Sequence, residues 1–176
     1  MTAKRIEAVL RPASVAVVGA SDTPGSIGEV LCRNLHEGGF RGPVFYVNPL
    51  HATIGDELSY PDVRSLPQTV DVAIVATPPP TLPTVLEHCG ERGVRGAIIV
   101  SAGFREGGEA GAAWERSMLQ VARRYGLRLL GPNSFGVIRT DNGFNASCGA
   151  ALPLPGRLAL VSQSSALCAA TLDWAR

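Results

Sequence analysis

The chain has 176 residues, of which 45% are hydrophobic and 18% charged, with a formal net charge of +1. At roughly 100 to 200 residues per domain, this accommodates one core and the beginning of a second. Balanced charge without runs of one sign leaves no electrostatic footprint for nucleic acid or an anionic membrane surface, and no stretch approaches the roughly 20 apolar residues of a membrane span.

Lys4 and Arg5 precede the apolar run "SVAVVGA", but Arg11 and Pro12 interrupt it, so it is not read as a secretory leader and a cytoplasmic setting is expected. The apolar run at Val15–Val18 is a first strand, and residues 29–36 form a helix stopped by Gly38 and Gly39. A second strand is expected at 43–47 and a minor one near Ile54. The continuous apolar stretch at 70–78 reads as a fully buried strand. A helix at 82–92, a strand at 96–103, a helix at 112–125 closed by Gly126, and a strand at 127–133 complete the alternation. Strands alternating with helices imply right-handed βαβ units. The expected fold class is therefore α/β, a Rossmann-like doubly wound parallel sheet of five strands. Cys32, Cys89, Cys148 and Cys168 lack metal-ligand spacing and read as reduced thiols.

Such sheets bind ligands beyond the carboxyl ends of their strands, near the point where strand order reverses. Here those ends read "GASDTPGSIG", "NPLH", "ATPPP", "SAGF" and "GPNSFG", all rich in small residues, Pro or Asn. Small side chains suit close approach of a ligand to backbone groups, although Gly and Pro also simply punctuate turns. Measured against the dinucleotide fingerprint G-x-G-x-x-G, an alignment on Gly19 puts Ser21 and Pro24 at the other two glycine positions. Gly25 and Gly28 keep the turn open, and the following helix N-terminus suits a phosphate. The second strand ends in Asn48, Pro49, Leu50 and His51, with no carboxylate for ribose hydroxyls, which makes an NAD-binding Rossmann domain the minority reading.

Six colinear blocks, "SVAVVGASDTPGSIG", "GPVFYVNP", "VDVAIVATPPP", "RGAIIVSAGFRE", "LRLLGPNSFGV" and "LALVSQSSAL", give the chain a resemblance to the coenzyme A-binding domain of the NDP-forming acyl-CoA synthetases, relatives of the succinyl-CoA synthetase α subunit. The resemblance implies coenzyme A or acyl-CoA as ligand. Its phosphates would lie on Gly19, Ser21, Pro24, Gly25, Ser26 and Ile27, and its adenine beside Asn48 and Pro49. Ribose and pantetheine would be lined by Ala76, Thr77, Pro78, Ser101, Ala102 and Gly103, with Asn133 and Ser134 near the thiol.

Two positions depart from the family pattern. Ser134 stands where Cys is common, and Ser165 replaces Gly in the later S-x-S-G segment. A basic residue often found near the second strand end is represented only by His51. The family passes a phosphoryl group through a histidine of a second, flavodoxin-like domain, but His36, His51 and His88 do not belong to that histidine block. Residues 1–150 are accordingly expected to form the coenzyme A-binding domain. Residues 151–176, with a strand at 158–162 and a helix, would begin the flavodoxin-like domain, the chain being a fragment that binds without catalysing. Glu106, Glu109 and Glu115 lie around "REGGEAG", read as a mobile, solvated loop. No G-x-S-x-G elbow, H-E-x-x-H or Walker lysine is present, so no hydrolase chemistry is supported. Expected partners are the remaining synthetase domains (phosphohistidine and ATP-grasp). Alternatively, the domain is a coenzyme A sensor fused to a GNAT-type protein acetyltransferase, a reading that the serines at 134 and 165 make plausible.

Overall fold

The computed structural model describes residues 3–150 and 152–175. Its strands are β1 (Val15–Val18), β2 (Val44–Val47), β3 (Thr53–Ile54), β4 (Glu57–Tyr60), β5 (Val72–Val75), β6 (Gly96–Ile99), β7 (Arg128–Leu130), β8 (Gly136–Arg139) and β9 (Phe144–Ser147). Its helices are α1 (Ala3–Leu10), α2 (Ile27–Glu37), α3 (Leu82–Glu91), α4 (Gly108–Tyr125) and α5 (Ser165–Trp174). The main sheet runs β3-β4-β2-β1-β5-β6-β7, and β8 pairs with β9 as a separate hairpin. All main-sheet pairs are parallel except β3 with β4. The parallel part has the doubly wound order, reversing between β1 and β5.

The central strands are buried on both faces, which explains their unbroken apolar sequence. Ala16, Val18, Ala73, Val75, Ala97 and Ile99 point to one side, where Leu82, Leu86 and Cys89 of α3 meet Met118, Val121 and Ala122 of α4. Val15, Val17, Val72, Ile74 and Ile98 point to the other, against Val9 of α1, Leu31 and Leu35 of α2, and Val137, Phe144 and Ala146 of the hairpin. Successive strand residues thus serve two cores.

Besides the β8–β9 hairpin, which no sequence expectation covered, four features differ from the sequence expectations. The sheet has seven strands because β3 and β4 extend it beyond β2. An additional helix, α1, packs so closely that a Cβ at Gly96 would lie 2.4 Å from Val9 Cγ2. The "REGGEAG" stretch is ordered: Arg105–Gly107 make a 3-10 turn, and α4 starts at Gly108, four residues earlier than expected. Finally, residues 158–162 form no strand. Leu158 and Val161 are 95% and 98% exposed, and among the described residues no strand lies alongside to complete a ladder. The helix that follows, α5, is present where expected. The boundary expected at 150/151 falls on Ala151 which, like Arg176, lies outside the described residues.

Candidate functional site

The turn after β1 is built by close approach to its neighbours. Gly19 has φ +87°, and a Cβ there would meet the Ala76 carbonyl carbon and oxygen at 3.0 Å. This contact joins the ends of β1 and β5, the two strands between which the order reverses. Gly19 N and Ala20 N donate to the Val47 carbonyl at 2.9 and 3.3 Å, fixing the turn to β2 as well. Ser21 Oγ accepts from Thr23 N at 3.0 Å, and Asp22 accepts from Gly55 N at 3.3 Å, tying the turn to the β3–β4 connection.

Helix α2 starts at this turn. Ser26 is its N-cap, its hydroxyl accepting from Glu29 N at 3.1 Å. The amides of Ile27 and Gly28 fall in the first turn, where N–H groups lack intrahelical acceptors. Gly28 is buried: a Cβ there would lie 2.2 Å from Gly19 O. It performs the helix-to-strand packing of the third fingerprint glycine, displaced from the position that a strict G-x-G-x-x-G spacing assigns to Pro24. Gly25, at φ +79°, faces open space, and a Cβ added there would meet nothing within 4 Å. Pro24, Gly25 and Ile27 are exposed beside these amides, so the turn presents backbone donors and a helix N-terminus to an anion.

At the end of β2, Asn48 is engaged within the protein: Nδ2 donates to Ala20 O at 2.8 Å and Oδ1 accepts from Leu50 N at 2.9 Å. Pro49 and Leu50 are exposed, Leu50 by 84%. After β5, Ala76 and Thr77 are half-buried and Pro78 exposed, and the hydroxyls of Thr77 and Thr81 lie 2.9 Å apart. After β6, Ser101 is buried with Oγ 3.4 Å from Val75 O, while Ala102 and Gly103 are exposed. Gly103 (φ +99°) rests on Pro79, whose Cγ would be 3.1 Å from an added Cβ. Asn133 (φ +52°) donates its amide to Ser101 O at 2.9 Å, and Ser134 Oγ accepts from Gly136 N at 3.1 Å. The carboxyl-end loops thus form one connected rim. Within it Gly19, Asn48, Ser101 and Ser134 hold the rim together, while Pro24, Gly25, Ile27, Pro49, Pro78, Ala102, Gly103 and Asn133 are exposed.

The rim combines backbone dipoles with the full negative charge of the exposed Asp22 carboxylate in the β1 turn. Its five loop motifs contain neither Lys nor Arg, and His51 is the only basic residue in them. Glu106, which sequence reasoning assigned to a solvated run, accepts from Gly103 N at 2.8 Å, and this backbone donor holds its carboxyl below the ordinary range. Its partner was legible only as the spacing of a glutamate three residues after a turn glycine. Arg105, 78% exposed, pairs with Glu115 at 2.9 Å. On α2, Glu29 Oε1 takes Arg33 at 2.6 Å, whereas Oε2 is buried without a partner among the described residues. Burial pushes the neighbouring Cys32 thiol up to about 11 and the Cys89 thiol to about 12, making both poor nucleophiles at neutral pH.

A cavity of about 500 Å³ lies at the opposite, amino end of the sheet, between Pro12, Ala13, residues 38–42 and residues 140–143. None of the residues expected to bind ligand lines it.

The fold and rim define a doubly wound nucleotide-type binding domain. Residues 13–140 match the CoA binding domain model, and the chain belongs to that family. It is 41% identical over 171 residues to the ADP-forming acetate–CoA ligase I of Archaeoglobus fulgidus, covering 97% of this chain and 25% of that protein. It is 44% identical over 173 residues to the alpha subunit of the ADP-forming acetate–CoA ligase I of Pyrococcus furiosus, covering 96% of this chain and 37% of the relative. The dinucleotide-forming acetyl-coenzyme A synthetase 1 of Ca. Korarchaeum cryptofilum, solved with phosphate and ADP, superposes with a TM-score of 0.90 at 37% identity, covering 96% of this chain and 36% of that one. The chain therefore spans about a quarter to two-fifths of these relatives.

Proposed function

We propose that this domain binds coenzyme A or acyl-CoA at the carboxyl-end rim, as part of an ADP-forming acyl-CoA synthetase. The whole enzyme would interconvert acyl-CoA, ADP and phosphate with acid, coenzyme A and ATP. The observation that carries the reading is the likeness to an acetyl-coenzyme A synthetase over 96% of this chain at a TM-score of 0.90, joined to a β1–α2 turn that offers free amides to phosphate. The rim's small side chains suit the long, thin pantetheine arm. Partners in this reading are a phosphohistidine domain, which residues 152–175 would begin, and an ATP-grasp domain. No helix among the described residues is long and apolar enough to cross a membrane, and we place the protein in the cytoplasm. The sensor reading, with a fused GNAT-type acetyltransferase, is separated by whichever domain follows; Ser134 no longer argues for it specifically, since its hydroxyl serves the turn at Gly136.

Calorimetric titration of the 176-residue chain with coenzyme A, acetyl-CoA and NAD in parallel tests the proposal. Saturable binding of the coenzyme A species without NAD is expected. Binding of NAD alone would overturn it.

A further inference from the structure

Asn48 lies at the rim where the adenine is expected, yet its side chain is spent inside the protein. Nδ2 donates to Ala20 O at 2.8 Å and Oδ1 accepts from Leu50 N at 2.9 Å. Only this orientation of the amide satisfies both partners, because a carbonyl needs a donor and an N–H an acceptor. The main chain is engaged too: Asn48 N donates to Tyr60 O at 2.9 Å. Ala20 is the residue just before the phosphate-facing part of the β1 turn, and its own amide, like that of Gly19, is held by Val47 O. The end of β2 therefore grips the β1 turn through two backbone amides and one carboxamide.

We infer that Asn48 is a positioning residue: it acts through Ala20 on the amides that meet the ligand's phosphate and does not read the adenine. The inference rests on the coenzyme A reading of the rim. An aspartate at 48 would keep the acceptor for Leu50 N but turn a carboxylate toward the Ala20 carbonyl. Protonation would restore a donor there, and because only the neutral acid can make that bond, its pKa would stand above the ordinary value of about 3.9. Other titratable or charged groups on the surrounding elements are Asp22 in the β1 turn, Glu29, Cys32, Arg33, His36 and Glu37 on α2, Tyr46 on β2, His51 in the following loop, Asp56 between β3 and β4, and Glu57 and Tyr60 on β4. All are shared by the wild type, so the readout is the ratio of variant to wild-type affinity at each pH.

The affinities of wild type, Asn48→Ala and Asn48→Asp are measured for coenzyme A and for 4′-phosphopantetheine, which lacks adenine, at pH 8 and pH 5, with circular dichroism to monitor folding. Asn48→Ala is expected to weaken both ligands by a similar factor of about ten, the worth of one good hydrogen bond, at either pH. Asn48→Asp is expected to show that deficit at pH 8 and to recover part of it at pH 5, as the fraction of neutral acid rises. Should Asn48→Ala not fold, the pH-dependent recovery of Asn48→Asp carries the test. Loss confined to coenzyme A would mean that Asn48 acts on the 3′-phosphoadenosine part, which 4′-phosphopantetheine lacks, and overturn the inference, as would an Asn48→Asp deficit that does not change with pH. Failure of the wild type to bind coenzyme A would remove the reading of the site and the inference with it.

Discussion

A methyl group at position 28 would lie 2.2 Å from the Gly19 carbonyl oxygen and 3.0 Å from the Ser21 amide nitrogen, both backbone atoms of the turn that α2 must approach. Neither can move without displacing β1 or its neighbours, so Gly28→Ala is expected to lower stability by about 1–3 kcal/mol, seen as a lower denaturant midpoint at unchanged slope. Gly25 presents the opposite case. Its φ of +79° carries a backbone cost for any L side chain, about 1–2 kcal/mol, but the space beside it is empty. Gly25→Val should therefore remain folded while its branched side chain blocks the amides offered to phosphate. A folded Gly25→Val that binds coenzyme A as well as the parent would show that the phosphate lies elsewhere. By sequence alone the two glycines are equivalent, as residues that keep the turn open. Their difference depends on which faces the strand and which faces solvent, and the pattern of residues does not contain that.

Sequence periodicity is clearest for β1, β5 and β6, where burial on both faces imposes long apolar runs, and it also reaches the less buried β2, β3 and β7 and the helices α2, α3, α4 and α5. The elements it missed are short and depend on distant partners. Helix α1 has eight residues and is held by contacts such as Val9 on Gly96. Strand β4 is only four residues long, and it buries Ser59 while leaving Leu58 60% exposed, so its polar–apolar alternation does not mark the face it buries. The β8–β9 hairpin did carry a local signal, the Asp-Asn-Gly turn between alternating apolar residues, but a reading focused on parallel βαβ units passed over it. Its attachment is polar as well as apolar. Asn34 of α2, 2% exposed, donates from Nδ2 to the carbonyls of Ser147 and Gly149, both at 2.8 Å, and Phe144 packs on Phe40 with ring centroids 5.5 Å apart. Asn34→Ala would leave two buried carbonyls without that donor, so a loss of about 2–4 kcal/mol is expected. Because the carboxamide ties the hairpin to α2, amide exchange should then rise in β9. If β9 stays as protected as in the wild type, the carboxamide is not what fastens the hairpin.

At the scale of the whole molecule, the sheet and its two cores contrast with the tail. Residues 152–175 expose Leu154, Leu158, Leu160, Val161, Leu167 and Trp174, and α5 has no buried residue although its sequence, SALCAATLDW, is apolar around most of its circumference. A helix of that composition is normally enclosed on all sides. Its attachment to the body includes Leu172 against Gly149, with Cδ1 3.0 Å from where a Cβ would be. If the tail belongs to a following domain, as proposed, the binding rim owes it nothing, since the bonds described for the rim loops run among residues before 137. Truncation after residue 150 should then leave coenzyme A affinity within about twofold of the parent. It should also abolish the concentration-dependent self-association that so much exposed apolar surface favours, measured by sedimentation. A truncated chain that is monomeric but no longer binds would place part of the ligand contact in the tail and move the functional boundary beyond residue 150. One that binds and still self-associates would locate the sticky surface on the body, with the edge strand β7 and its exposed Leu130 as the next place to look.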